Sequence, residues 1–188
     1  MVNSSHVELA YSRLRDTNVK IGAVAGFPLG ATLTSVKRFE TAGALKLGAH
    51  EIDMVINIGA FKAGDLAFVQ SEIEALSEIV HKQSALLKVI IETCLLTDDE
   101  KRVACEIAEK AGADFVKTST GFLGGVATIA DVALMRRAVK IGVKASGGIR
   151  IASDAIAMIQ AGANRLGTSS GANIIRELRS ESTSNAAT

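Results

Sequence analysis

An α/β fold of the (β/α)8 barrel type is what this 188-residue sequence predicts. Three observations carry the prediction. Strand-like and helix-like segments alternate through almost the whole chain, and six successive alternations argue for a parallel sheet covered by helices. One αβ junction recurs: "LGAHEIDMV", "AGADFVKT" and "AGANRLGT" each set Gly-Ala after a helix, then a polar residue, then a strand. The glycine supplies a left-handed helix stop, and three copies of one junction suggest radial repetition. The first βα turn, "GFPLGATLTSVKRFE", lacks the G-x-G-x-x-G fingerprint of dinucleotide-binding open sheets, which favours a barrel over a doubly wound sheet.

In chain order, "MVN" reads as the last residues of an earlier strand. The stretch "SSHVELAYSRLRD" reads as a short helix with Ser5 and Glu8 as a capping box. Six clear strands follow: "VKIGAVAGF", "EIDMVINIG", "LLKVIIET", "ADFVKTST", "IGVKASGG" and "NRLGTSS". Each is a short apolar run bounded by Gly, Ser, Thr or Asp, as buried parallel strands are. Between them lie amphipathic segments. In "DLAFVQSEIEALSEIVHK", Leu66, Val69, Ile73, Leu76 and Val80 recur at helical spacing. "TDDEKRVACEIAEKAG" opens on a Thr97–Glu100 capping box and closes on Gly112. "TIADVALMRRAVKIG" and "ASDAIAMIQAG" follow the same plan. An eight-unit barrel needs about 250 residues, and at least about 200. The expectation is therefore a single barrel domain over residues 1–178, N-terminally truncated by about one and a half βα units, with 179–188 as a small, polar, flexible tail.

Composition excludes several classes. The formal net charge of +1 gives no global field toward nucleic acid or an anionic membrane. The longest apolar runs, such as "VAGFPLGATL", are too short and Gly-rich to span a bilayer. Cys94 and Cys105 lie in an apolar strand and a helix-like segment, read as small core residues. No secretory signal precedes them, so reduced thiols and a cytoplasmic location are expected. His6, His50 and His81 are scattered without metal-ligand spacing, and no metal site is expected.

Five lysines lie in or beside the strands. Lys20 and Lys88 come near strand starts, at the solvent-facing bottom of a barrel, and Lys46 sits on a helix; all three read as bland. Lys117 and Lys144 differ, because each follows an apolar pair and precedes small hydroxyl residues and Gly. Such a run marks the C-terminal end of a strand, where barrel active sites are built. The two lie on consecutive strands, and a nearby second cation with partial desolvation makes a neutral, nucleophilic amine available near neutral pH. The bland reading is that each merely snorkels to the rim. Asp53 is a carboxylate inside an apolar run, costly unless paired or used; it would move protons or hold a lysine in place. Glu92 is ambiguous in the same way. "SGGIR" and "GTSSG" follow the last two strands and lead into helices. Their backbone N–H groups, with the hydroxyls of Ser169 and Ser170, make an anion site of the kind barrels use for phosphate.

In their order, "GFPLG", "EIDMVINIGA", "LKVIIET", "FVKTSTGF", "VKASGGIR" and "GTSSG" closely resemble the deoxyribose-phosphate aldolase family, over residues 1 to about 175. The resemblance implies a cofactor-free class I aldolase on a (β/α)8 barrel, cleaving 2-deoxy-D-ribose 5-phosphate reversibly to acetaldehyde and D-glyceraldehyde 3-phosphate. It implies that Lys117 forms the Schiff base, that Lys144 lowers the pKa of the nucleophile and that Asp53 serves the proton relay. Gly147, Gly148, Gly167, Ser169 and Ser170 match the phosphate cradle, and Thr120 joins the substrate-binding set. The partner implied is a phosphosugar, with no nucleic acid or membrane, and with homo-oligomerisation open. Three departures stand out. The family's opening "DHTLL"-like strand and its helix have no counterpart here, Asn3-Ser4 stands where members often have "NP", and the Gly pair of "GFLGGVAT" is shifted by one. A barrel without its first strand would carry two unpaired sheet edges and be destabilised. The readings to separate are an active aldolase, an inactive truncated fragment retaining phosphate binding, and another phosphate-binding barrel enzyme such as an isomerase.

Overall fold

The computed structural model describes residues 1–185. Its elements in order are α1 (Val7–Leu14), β1 (Gly22–Ala25), α2 (Thr34–Lys46), β2 (Glu51–Val55), α3 (Ile58–Lys62), α4 (Leu66–Lys82), β3 (Leu86–Ile90), α5 (Asp98–Lys110), β4 (Phe115–Lys117), α6 (Ile129–Ala138), β5 (Gly142–Ser146), α7 (Ala152–Gln160), β6 (Arg165–Gly167) and α8 (Gly171–Asn185). Every neighbouring strand pair is parallel, and the sheet order is the chain order, β1 to β6. All six expected strands are present. The "MVN" segment extends the sheet beyond β1: Val2 bridges Ala23 in parallel and its N–H donates to the Gly22 carbonyl.

Alternation within the strands decides the two faces of the sheet. In "EIDMV", Ile52 and Met54 join Leu87, Val89, Val116 and Val143 in one apolar cluster with helix residues such as Ile73, Leu76, Val132 and Met135. The intervening residues, Glu51 and Asp53, lie with Lys88, Lys117 and Lys144 on the other face, where they ion-pair. That face is concave. Arg165 of β6 reaches Glu51 of β2 at 2.7 Å. In a flat sheet, four strand spacings of about 4.8 Å would hold these strands roughly 19 Å apart. The sheet therefore curls, as a barrel wall does and an open doubly wound sheet does not.

The recurring junction is one structure used three times. Gly48, Gly112 and Gly162 have φ of 102°, 85° and 110°, the left-handed region that side chains disfavour. The N–H after each glycine returns to the carbonyl five residues back: Ala49 to Ala44, Ala113 to Ala108, Ala163 to Met158. This is the six-to-one closure of a Schellman stop. The Thr97–Glu100 capping box forms as read. The Ser5–Glu8 box does not: a 3-10 turn over Ser4–His6 delays the helix, and His6 takes the cap position without a side-chain bond. Cys94 is also corrected. It sits exposed in a 3-10 turn after β3, because the strand ends at Ile90, whereas Cys105 is buried in α5 and burial pushes its thiol up to about 12. The segment 179–188 continues α8 as far as Asn185, and 186–188 lie outside the described residues.

Candidate active site

Strands β2 to β6 each deliver one or two of the site's groups. Lys117 ends β4 and Lys144 lies opposite it on β5 as its register partner. Both are almost fully buried, and both ammonium groups reach the same oxygen, Oδ2 of Asp53, at 2.9 Å. Asp53 comes from the middle of β2 with no exposed surface. Burial alone would raise its carboxyl pKa, but the charges of Lys117, Lys144 and Lys88 outweigh that and hold it well below the carboxylate range. For Lys144 the balance runs the other way. Burial disfavours its charge first, Asp53 pushes back, and repulsion from Lys117 adds to the lowering, so its pKa falls below that of an ordinary lysine.

Lys88 departs from its reading as a bland strand-start residue. It has no exposed surface and is clamped between Asp53 Oδ1 at 2.7 Å and Glu51 Oε2 at 2.6 Å. Lys88 is the middle residue of β3 and the register partner of Asp53, so it faces the concavity of the curled sheet and not solvent. The only sequence signal was the alternation, with Lys88 two residues before Ile90 on the same face as Asp53. Lys37 was also missed. It lies buried on α2 and bonds Glu72 Oε2 at 2.7 Å and the Val55 carbonyl at 2.8 Å, tying α2 and α4 to the end of β2.

The lysine pair floors a cavity of about 720 Å³ whose wall includes Thr120, Ser146, Gly147, Gly148, Gly167 and Ser169. Gly147 and Gly148 have φ of 100° and 77°, and a Cβ at Gly148 would sit 2.8 Å from the Val126 side chain. Gly167 serves Lys144 directly: a Cβ there would lie 2.5 Å from Ser146 Oγ and 3.2 Å from Lys144 Cε. Ser170 does not line the cavity. Thr168 takes that place, and the Ser170 carbonyl accepts from the N–H groups of Asn173 and Ile174 at the start of α8. Arg150, which follows the Gly pair in "SGGIR", also lines the cavity and brings a cation beside the glycine turn. Phe27 and Phe122 meet edge to face, with ring centroids 5.2 Å apart, on the same wall. Glu92 is buried in the left-handed region, with φ of 54°, and its Oε2 accepts the Thr120 N–H at 3.0 Å. It thereby ties the loop after β4 to the end of β3.

Chemically, the site offers two neighbouring amines, a carboxylate between them and a glycine-rich rim with an arginine. That set can form an imine with a carbonyl compound whose far end carries an anion.

Comparison with known proteins points the same way. The family model described as "DeoC/LacD family aldolase" matches residues 4–177. A deoxyribose-phosphate aldolase of Thermococcus gammatolerans is 56% identical over 182 residues, covering 95% of this chain and 81% of the relative. Among solved structures, "QR15, an Aldolase" superposes with a TM-score of 0.91 at 46% identity, covering 97% of this chain and 81% of that one. The deoxyribose phosphate aldolase of Aeropyrum pernix, described as a unique tetrameric structure, superposes with a TM-score of 0.87 at 32% identity, over 95% and 76% of the two chains.

Proposed function

The chain belongs to the DeoC/LacD aldolase family, and from that premise we propose that it cleaves 2-deoxy-D-ribose 5-phosphate reversibly through an imine on Lys117. The observation that supports this most is the shared carboxylate oxygen: Lys117 and Lys144 both at 2.9 Å from Asp53 Oδ2, on the floor of the glycine-rimmed cavity. Two ammonium ions on one oxygen repel each other, so the arrangement favours releasing one proton and leaving one amine free to attack.

In the cleavage direction, neutral Lys117 adds to the sugar's aldehyde carbon, and loss of water leaves a protonated imine. The bond between C2 and C3 then breaks as the C3 hydroxyl gives up its proton. The bonding electrons move to the imine nitrogen, leaving an enamine on Lys117 and releasing glyceraldehyde 3-phosphate. Protonation of the enamine carbon and hydrolysis return acetaldehyde and the free lysine. The protonated imine is itself the electron sink, which is why this chemistry proceeds without a metal Lewis acid. Lys144, whose charge burial disfavours, is suited to give and take protons within the site. Asp53, held ionised, orients both ammonium groups and carries the relay between them. At the far end, the N–H groups of Gly147, Gly148 and Gly167, with Ser169, Thr120 and Arg150, bind the phosphate.

The substrate is a phosphosugar, which does not cross membranes unaided, and this favours a cytoplasmic enzyme. Among the described residues no helix is long and apolar enough to cross a membrane. The Aeropyrum pernix relative is described as tetrameric, which favours self-association of this chain, and light scattering tests it. The assay for the reaction itself is aldehyde release from 2-deoxy-D-ribose 5-phosphate. Wild type is expected to release it and Lys117→Ala to abolish it. Equal release by both proteins would refute the assignment of Lys117.

A further inference from the structure

Three lysine ammonium groups and two carboxylates are packed on the concave face of the sheet, and the pairing among them is uneven. Glu51 is held by Arg165, whose Nη1 reaches both carboxylate oxygens at 2.7 Å, and by Lys88 at 2.6 Å. The Arg165 guanidinium is itself fixed over the Phe115 ring, 4.9 Å from its centre. Lys88 bridges from Glu51 to Asp53, where it occupies Oδ1 at 2.7 Å. The result is a line of alternating charges, Arg165–Glu51–Lys88–Asp53, that runs along the concave face and ends at the two amines of the site. Only Oδ2 of Asp53 remains for Lys117 and Lys144 together.

We propose that Lys88 is a positioning residue for the imine-forming reaction: by holding Oδ1 of Asp53 it obliges Lys117 and Lys144 to share Oδ2, so that the pair cannot both keep a full counter-charge. The inference rests on the imine chemistry proposed above. A lysine in this place for stability alone would only need to satisfy Asp53 and Glu51. A lysine that sets the proton count of the pair must also shift the pH at which Lys117 reacts. The groups that face this cluster are Lys88 from β3, Lys117 from β4, Lys144 from β5, Arg165 from β6, Asp53 and Glu51 from β2, and the α-amino group of Met1. Lys88 also adds its repulsion to the forces that disfavour a charge on Lys144, after burial and Lys117.

The sign of the effect follows from the oxygens. Without the charge at position 88, Oδ1 is released, each of Lys117 and Lys144 takes an oxygen of its own, and both are held as ammonium to higher pH. The test measures acetaldehyde adduct at Lys117, trapped with borohydride and read by mass spectrometry, as a function of pH. In Lys88→Met, which removes the ammonium group and keeps an unbranched stem, the midpoint moves up by about one pH unit and trapping at neutral pH falls about tenfold. Glu51→Gln is the second variant, needed if the first fails to fold. It keeps Lys88 and removes a negative charge from the cluster, so the midpoint moves down. Circular dichroism establishes that each variant is folded. A folded Lys88→Met with the wild-type midpoint, whatever its rate, overturns the proposal, as does a Glu51→Gln midpoint that stays or rises. Absence of adduct in the wild-type chain refutes instead the imine reading on which the proposal stands, so the two failures are separable.

Discussion

At the scale of single residues, Asp53 carries the most. Its carboxylate is fully buried and faces three ammonium groups, two on one oxygen and one on the other. Removing one partner of a buried pair costs about 3–5 kcal/mol, because the remaining charges lose their compensation. Asp53→Asn is expected to destabilise the chain by that order, measured by urea unfolding, and to abolish aldehyde release. The same residue predicts acid sensitivity. Its folded pKa lies below the ordinary value of 3.8, so its stabilisation is fully present above that value and is lost as pH falls below it. The melting temperature of the wild type should drop as pH falls below about 4, and Asp53→Asn should flatten that drop. Identical pH profiles for the two proteins would show that Asp53 is not the group responsible. The sequence disclosed Lys117, Lys144 and Asp53 because each interrupts an apolar run beside small residues or within a strand. Lys88 interrupts its run in the same way, yet its meaning depends on the sheet curling so that the middle of β3 meets Asp53 and Glu51. No local pattern carries that information.

Elements were legible where their ends are chemically marked. The Thr97–Glu100 box and the three glycine stops form as their residues require, since a cap or a left-handed turn depends on a few adjacent side chains. Thr97→Ala is expected to cost about 1 kcal/mol of stability in urea unfolding while leaving activity unchanged. A loss below a few tenths would mean that the cap contributes nothing to α5. The failures occurred where tertiary entry geometry overrides the local signal. Ser5 has a capping sequence, but the chain arrives from the Val2 bridge and makes a 3-10 turn first. At the other end of the sheet, β6 passes so close to β5 that a Cβ at position 167 would press on the side chains of Ser146 and Lys144. Gly167→Ala should push Ser146 and Lys144 aside, lowering aldehyde release at least tenfold while the melting temperature changes little. Undiminished release would show that the strand yields without moving Lys144.

For the whole molecule, the decisive inference is curvature. Alternating apolar and small-residue runs predicted a parallel sheet, and the repeated junction predicted a barrel-like arrangement. The ion pair between Arg165 and Glu51, on strands four positions apart, is what requires the sheet to curl. That curvature turns six separate strand residues into one charge cluster under the cavity, and the glycine-rich ends of β5 and β6 into its rim. The cluster could be read in the sequence as a list of ionisable residues. Its connectivity, with one carboxylate oxygen for one lysine and the other for two, exists only in the folded sheet. Peptide mapping of the chain after acetaldehyde and borohydride treatment tests the imine assignment at its reacting atom. An ethyl adduct on Lys117, with Lys144 and Lys88 unmodified, is the expected result. An adduct on either of those lysines in its place, or none on the folded chain, would contradict it.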